Sequence, residues 1–524
     1  MFSSGVEGKE TLRMGIEMKA RYVWWTICLL SVASLAAAAD LGLVEAAKQG
    51  DQEAVRSLLQ QRADVNTRQA DGTTALAWAA YRDDLETADL LIGAGANANA
   101  ANDSGVTPLS LACTNGSAAM VERLLKAGAD PKAAKWKGET VLMTCARTGN
   151  AGAVKALLVH GADANAKETR RGQTALMWAV GQEHPEAVRA LVEHGADVNA
   201  RSNGGFTPLL FAAQQGDLDS ARILVAAGAN VNDATPDGSA LMVASVSGYE
   251  PLAIFLVEKG ADPNATDPSG ITVLHSAVSK GLLALSGKTQ REISANRGAD
   301  FLPAPYWERP NALELVKALL AHKANPNGRI VKEPPPLPLC CRIPGSRISL
   351  VGATPFLLAA AAGDLSIMRA LAAGGADPLL ATEKNVTPLM VAAGLGRFQD
   401  RKEGEEERSA LEAVTLAVEL GADINVVGEN GWTALHAAAY TGADAIVQIL
   451  ADKGAHLDVK DKFGQTPLRI AEPNISGPPG GRRPLGEPWV THKSTAELLL
   501  KLGATPLNVP VAQGSGAATG PAGQ

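Results

Sequence analysis

The sequence predicts an all-α fold, a solenoid of about twelve stacked helix pairs joined by hairpin fingers and interrupted by several loop insertions. A short phrase recurs along the chain: TALAWAA at Thr74, TPLSLAC at Thr107, TVLMTCA at Thr140, TALMWAV at Thr174 and TPLLFAA at Thr207. Equivalent positions fall at Leu41, Thr74, Thr107, Thr140, Thr174, Thr207, Ser239, Thr272, Thr354, Thr387, Thr433 and Thr466, mostly 33 residues apart, with one step of 34 and one of 32. A constant period of this size marks a stacked array whose units each touch only their neighbours, and not a set of independent globules.

Each unit reads as two helices and a turn. Thr174 is placed to cap a first helix, its hydroxyl accepting from an orphan backbone N–H, and Pro108, Pro208 and Pro388 occupy the following position, where proline is pre-organised. Leu176 points inward. The alanine pairs Ala79-Ala80, Ala212-Ala213 and Ala392-Ala393 are small because a second helix and the next unit must approach there. Gly149, Gly216 and Gly442 suit left-handed caps at the end of that helix. Val188 and Leu191 share one face of the second helix, which ends at Gly195, and GADVNA turns the chain outward to the next unit.

The phrase DG-x-T-x-L-x-x-AA…V-x-x-LL-x-x-GADVNA resembles the ankyrin repeat, and TVLH at Thr272 and TALH at Thr433 retain that family's histidine as His275 and His436. The resemblance spans about 40–327 and 351–507. It implies an elongated stack of helix pairs with protruding fingers, a protein-binding role and no reaction. At the N-terminal end Leu41 replaces the capping Thr and Arg62 replaces the glycine before the hairpin, as a terminal unit allows.

The ends and interruptions define the expected layout. Residues 1–39 read as a secretory signal: Lys19 and Arg21 supply positive charge, Val23 to Leu35 is mostly apolar, and four alanines precede Asp40. Cleavage after Ala39 leaves an exported chain, periplasmic or secreted; an uncleaved membrane anchor is the rival reading. A first repeat block, 40–327, carries an insertion at 282–310; a Pro-rich insertion follows at 328–350. A second block, 351–507, carries insertions near 397–409 and 473–493, and 508–524 form a disordered tail. Insertions cost little in such an array, so drift explains them. The first, however, holds Phe301, Tyr306 and Trp307 in a chain poor in aromatics, a composition that suits packing over the concave side.

The formal charge of −7 argues against a chain built to coat phosphate backbones, so nucleic acid is not an expected partner. No catalytic residues, cofactor or metal ligands are expected. His160 and His194 sit at second-helix ends, where imidazole complements the dipole. His184, Glu186 and His194 lack the spacing of a zinc helix, and no nucleophile elbow or phosphate loop occurs in a workable context. Cys113 and Cys145 fall at corresponding positions of adjacent units and read as slot-filling core cysteines, with a cross-link as the alternative. Cys340-Cys341, in the Pro-rich insertion, suits a disulfide. Trp78 and Trp178 occupy a position that is Leu111, Phe211, Val243 and Val391 elsewhere, so they read as packing residues.

Recognition is then expected at positions that the repeat does not need. Before the capping residue these are Phe206, Ile271 and Trp432; after the alanine pair they are Tyr81, Arg82, Arg147 and Tyr440. Consecutive fingers carry Lys132, Lys135, Trp136, Lys137, Lys167, Arg170, Arg171 and Arg201 in an otherwise acidic protein. They form either a solvated rim or a dock for an acidic protein segment, an anionic glycan or a lipid headgroup, with Trp136 as anchor. The reading is a non-enzymatic, exported scaffold that binds another protein; an accessory subunit of an exported or membrane enzyme and a secreted effector acting on a host protein are the alternatives.

Overall fold

The computed structural model describes residues 41–236, 238–278, 311–333, 348–395, 405–472 and 492–506. The leader 1–39, the aromatics Phe301, Tyr306 and Trp307, Cys340 and Cys341, most of the four insertions and the tail 508–524 lie outside these residues. The chain divides into two compact units, one ending at Thr235 and the other beginning at Pro236.

The first unit is built of helix pairs: α1 (41–49) with α2 (Gln52–Gln60), α3 (Ala75–Arg82) with α4 (Leu85–Gly93), and α5 (Pro108–Asn115) with α6 (Ala118–Lys126). Then follow α7 (Val141–Thr148) with α8 (Ala151–Val159), α9 (Ala175–Val180) with α10 (Pro185–Glu193), and α11 (Pro208–Gln215) with α12 (Leu218–Ala226). Each recurring phrase begins a helix because its threonine caps it. Thr107 Oγ1 accepts from Ser110 N at 3.2 Å, Thr140 from Met143 N at 3.2 Å and Thr174 from Met177 N at 3.4 Å. Gly116, Gly149 and Gly216 close three of these helices in left-handed conformation, at φ 68°, 79° and 80°.

Helices α3, α5, α7, α9 and α11 pack successively on one another, as do α4, α6, α8, α10 and α12, so the unit has two layers with the core between them. Ala79, Ala80, Ala212 and Ala213 are fully buried where the layers and neighbouring repeats approach, and Leu176, Val188 and Leu191 are buried with them. Asparagine side chains tie repeat to repeat at the finger bases. Asn165 Nδ2 donates to Gly195 O at 3.1 Å and its Oδ1 accepts from Asp197 N at 2.7 Å; Asn66, Asn99 and Asn199 repeat the pattern.

Cys113 and Cys145 are fully buried and joined by a disulfide. The expectation of two slot-filling thiols is thereby corrected in favour of the cross-link. The stacking of α5 on α7 brings their Cα atoms to 4.5 Å, within disulfide reach.

The second unit continues the plan with α13 (Ala240–Ser247), α14 (Glu250–Glu258), α15 (Val273–Ala277), α16 (Ala312–Ala321), α17 (Pro355–Ala362) and α18 (Leu365–Ala373). After these come α19 (Pro388–Ala392), α20 (Glu405–Glu419), α21 (Ala434–Thr441), α22 (Asp444–Asp452), α23 (Pro467–Ala471) and α24 (Lys493–Lys501). Part of the insertion expected near 397–409 is helical, since α20 starts at Glu405 and runs 15 residues, longer than the other second helices.

The insertions do not interrupt the stacking. Helix α14 packs on α16, α16 on α18, α17 on α19, α18 on α20 and α22 on α24. The asparagine ties also step across the insertions: Asn264 Nδ2 donates to Lys323 O at 3.1 Å, and Asn327 Nδ2 to Gly375 O at 3.0 Å. At the end of α16 Lys323 takes the left-handed position (φ 68°) that glycine fills after most second helices, a strained choice for a residue with a Cβ.

Candidate functional site

Three pairs of adjacent fingers in the first unit are joined tip to tip by backbone hydrogen bonds. Asp103 N donates to Asp71 O at 3.0 Å, Thr169 N to Lys137 O at 2.9 Å and Asn203 N to Arg171 O at 2.7 Å. Side chains on successive tips are therefore held in fixed register. The 34-residue step is Thr140 to Thr174, and its extra residue lies in the finger tip. In the finger before Thr107, Gly105 N closes the turn on Asn102 O at 2.8 Å; in the finger before Thr174, Gly172 N closes on Glu168 O at 3.1 Å, one residue further back. The wider turn presents Arg170 and Arg171 side by side.

Glu168 organises that turn. Its carboxylate accepts from the backbone N–H groups of Arg170 (2.6 Å), Arg171 (2.7 Å) and Gln173 (3.1 Å), and the residue is only 7% exposed. Burial alone would raise its pKa. The N–H groups of Gln173, Arg171 and Arg170, helped by the Arg171 charge, outweigh burial and hold it below the ordinary carboxylate value. The Arg170 and Arg171 side chains are exposed, and among the described residues no carboxylate lies within ion-pair distance of either.

Beside them lies a hollow of about 460 Å³, lined by Arg170, Arg171, Gln173, Phe206, Phe211 and Gln214 together with the 202–204 turn. Phe206 and Phe211 meet with ring centroids 5.7 Å apart at 50°, both half-buried. Phe211 belongs to a row on the first helices, four residues after each cap, where Trp78, Leu111 and Trp178 are also half-buried. Cations from the preceding repeat cover both tryptophans: Lys48 Nζ lies 5.5 Å from the Trp78 ring and the Arg147 guanidinium 5.5 Å from that of Trp178. On the neighbouring finger Trp136 is 81% exposed, with Lys137 Nζ 4.5 Å from its ring.

The expected recognition residues separate according to their partners. Tyr81 is exposed and meets Trp78 edge-on at 5.7 Å. Arg82 donates to Lys48 O at 3.3 Å, tying one repeat to the one before it. Lys135 is half-buried and ion-paired with Glu139 at 3.5 Å, so its charge is largely spent within the finger. On the rim, Lys167 Nζ donates to Arg201 O, and Arg201 pairs with Asp233 at 3.0 Å. Lys132 is exposed.

Ile271 is corrected: it is 5% exposed and buried, because the following finger runs against its own, with Val331 N donating to Ser269 O at 2.8 Å. Trp432 and Tyr440 belong to the second unit, as does Ile271, and form a separate cluster there. Trp432 lies 5.5 Å from Tyr440 and stacks at 22° on His436, and its indole N–H donates to Asp461 at 3.2 Å.

Among the described residues no group of three or more His, Cys, Asp or Glu is placed to hold a metal ion. The histidines have structural partners instead. His275 and His436 complete capping boxes with Thr272 and Thr433. His184 and His492 reach back to Arg147 O (3.0 Å) and Tyr440 O (3.1 Å) of the preceding repeats. Phe211, Gln214 and Glu168 do not stand out as binding residues in the sequence. The 34-residue step is the visible signal for the finger.

A family model described as "Ankyrin repeats (3 copies)" matches residues 43–135, 132–202, 200–267 and 406–478. The chain belongs to the ankyrin-repeat family. The threonine caps and asparagine ties extend the ankyrin plan through 272–395, between the matched segments. The chain is 36% identical over 66 residues to protein phosphatase 1 regulatory subunit 12A of Mus musculus, covering 13% of this chain and 6% of that protein. It is 31% identical over 117 residues to ankyrin repeat and SOCS box protein 3 of Bos taurus, covering 22% and 19%. The human ASB11 ankyrin repeat domain aligns over 42% of this chain and 98% of its own, at 28% identity and a TM-score of 0.38. The chain thus spans a small part of the curated relatives it matches. Ankyrin repeats are protein-interaction scaffolds, and the family match assigns no reaction.

Proposed function

We propose that this ankyrin-repeat chain is an exported, non-enzymatic scaffold whose first unit holds an acidic segment of another protein. The observation that carries the reading is the pair Arg170 and Arg171, exposed and without an ion-pair partner among the described residues, beside exposed or half-buried aromatics in a protein of net charge −7. Unpaired guanidinium groups next to aromatic surface are the composition of interface anchors. Lys137, Trp136, Arg147 and Tyr81 extend the same surface along the finger tips and first helices of that unit.

Export is supported by the three-part leader pattern in 1–39 and by the buried Cys113–Cys145 bond, since disulfides persist in oxidising compartments. The name of one matched relative, a regulatory subunit, favours an accessory-subunit role as a second reading. In that case a catalytic protein co-purifies in constant ratio.

Site-specific photo-crosslinking from position 137 in the envelope fraction, read by mass spectrometry, tests the proposal. Arg170→Glu and Arg171→Glu together should abolish the crosslinked species and leave melting nearly unchanged, whereas Trp432→Ala should not affect crosslinking. A crosslinked partner that survives the double reversal places the docking surface elsewhere. N-terminal sequencing that begins at Asp40 supports cleavage, and a chain that keeps residues 1–39 in the cytoplasm overturns export.

A further inference from the structure

We infer that the hollow between the widened finger and its neighbour receives a short extended peptide, with one bulky apolar side chain against Phe206 and Phe211 and an adjacent carboxylate on Arg170 and Arg171. The inference rests on the scaffold reading above and names the chemistry of what that surface takes.

Five features of the hollow point to this occupant. Its volume, about 460 Å³, lies in the lower part of the range for small-ligand sites. That admits a side chain with its flanking backbone and is too small for a folded domain. The wall formed by Phe206 and Phe211 is aromatic and tilted, which leaves ring faces and edges for an apolar insert.

The guanidinium groups are available because the carboxylate beside them is occupied. Glu168 spends its oxygens on three backbone N–H groups, so an incoming carboxylate finds planar donors without a competing ion pair. Gln173 and Gln214 add amide groups at the rim, which can both donate to and accept from an extended backbone.

The arrangement is also pre-organised. Arg171 O is held by Asn203 N, and the finger behind it is held by Thr169 N on Lys137 O. The tip therefore loses little freedom when a peptide binds. Other fingers offer different chemistry: the corresponding turn before Thr140 carries Trp136 and Lys137, the one before Thr107 carries Asp103 and Ser104, and the one before Thr74 carries Asp71. The extra residue of the 34-residue repeat is what places two arginines at this one hollow. A sulfated glycan would use the arginines but leave the phenylalanines without a partner, so the aromatic wall favours a peptide.

Fluorescence anisotropy with defined probes tests the inference. The parent probe is a labelled peptide with Asp-Phe-Glu at its centre and Gly and Ser on both sides. One companion replaces Phe by Ala, another replaces the acids by Asn and Gln, and a sulfated heparin oligosaccharide serves as competitor. Each companion peptide should bind about tenfold more weakly than the parent or worse. Arg170→Gln with Arg171→Gln should remove the preference for the acidic peptide while keeping the preference for Phe. Phe211→Ala should do the reverse. Gln214→Trp, which fills the hollow from an exposed position, should block the parent peptide without disturbing folding.

Equal binding of the Phe and Ala peptides overturns the inference, as does absence of parent binding at about 1 mM or tighter binding of the heparin oligosaccharide than of the parent peptide. A protein crosslinked at position 137 whose capture ignores Gln214→Trp leaves the scaffold reading standing and removes this one. Loss of capture only with the charge reversals likewise rules out the hollow as the peptide's seat.

Discussion

Lowering the pH from 7 to 5 should weaken the second unit through His275. The ring is fully buried between two repeats: Nδ1 accepts from Thr272 N at 3.1 Å, and Nε2–H donates to Ala353 O at 3.1 Å. The Nδ1 bond requires the neutral imidazole, because protonating Nδ1 would set an N–H against an N–H, whereas the Nε2–H bond to Ala353 O is kept in either form. Burial is the main cause that pushes the pKa down, from 6.5 to about 4, with the Ala353 carbonyl opposing it. The unfolded chain then binds a proton below pH 6.5 that the folded chain refuses until about pH 4, so stability present above 6.5 is lost as the pH falls through that window. The full displacement corresponds to about 3 kcal/mol, of which about 2 kcal/mol is lost by pH 5. His436 and His492, also depressed by burial, act in the same direction. Urea unfolding of the wild type and of His275→Gln at both pH values isolates the His275 share, since glutamine at this helix position can keep the capping box without a titrating group. The variant should lose about 2 kcal/mol less than the wild type on acidification. An identical acid sensitivity in both proteins, or an imidazole that titrates near 6.5 by NMR, would refute the reasoning.

Leu176 is fully buried, so Leu176→Ala should cost about 2–5 kcal/mol in denaturant unfolding, and an unchanged midpoint would mean that the repeat register is wrong. The Cys113–Cys145 bond closes a separation of 32 residues, for which loop entropy gives a stabilisation of about 3–4 kcal/mol. Reductant should lower the unfolding midpoint of the wild type and not that of the Cys113→Ala, Cys145→Ala double variant, while alkylation of Cys113 and Cys145 themselves in denaturant without reductant, located by peptide mapping, would disprove the bond. Lys323→Gly should raise stability by about 1 kcal/mol by relieving the left-handed strain after α16; no gain in the melting temperature would show that the unfolded state absorbs the difference.

The repeat was readable at the level of single residues because its determinants are local. Thr174, Leu176, Gly149 and the buried alanine pairs stand where their spacing required, since a hydroxyl three residues before an N–H, or a glycine at a left-handed cap, needs no knowledge of distant chain. The docking residues were readable only by position. Lys135 and Arg170 look alike on consecutive fingers, yet Lys135 faces Glu139 of its own finger while Arg170 has no acidic partner among the described residues. Ile271 and Phe206 occupy the same register position, but a following finger closes over one and a hollow opens beside the other.

From the order of amino acids alone come the period, the helix pairs, the family and the oddity of a 34-residue step, because each depends on contacts within a repeat or between identical neighbours. Folding in three dimensions settled what the period leaves open. It joined Cys113 to Cys145, buried Ile271, carried the stacking of the second unit past its insertions, and set two arginines against Phe206 and Phe211. Those outcomes turn on which side chains meet between non-identical neighbours, and a repeating pattern carries no information about the positions at which its copies differ.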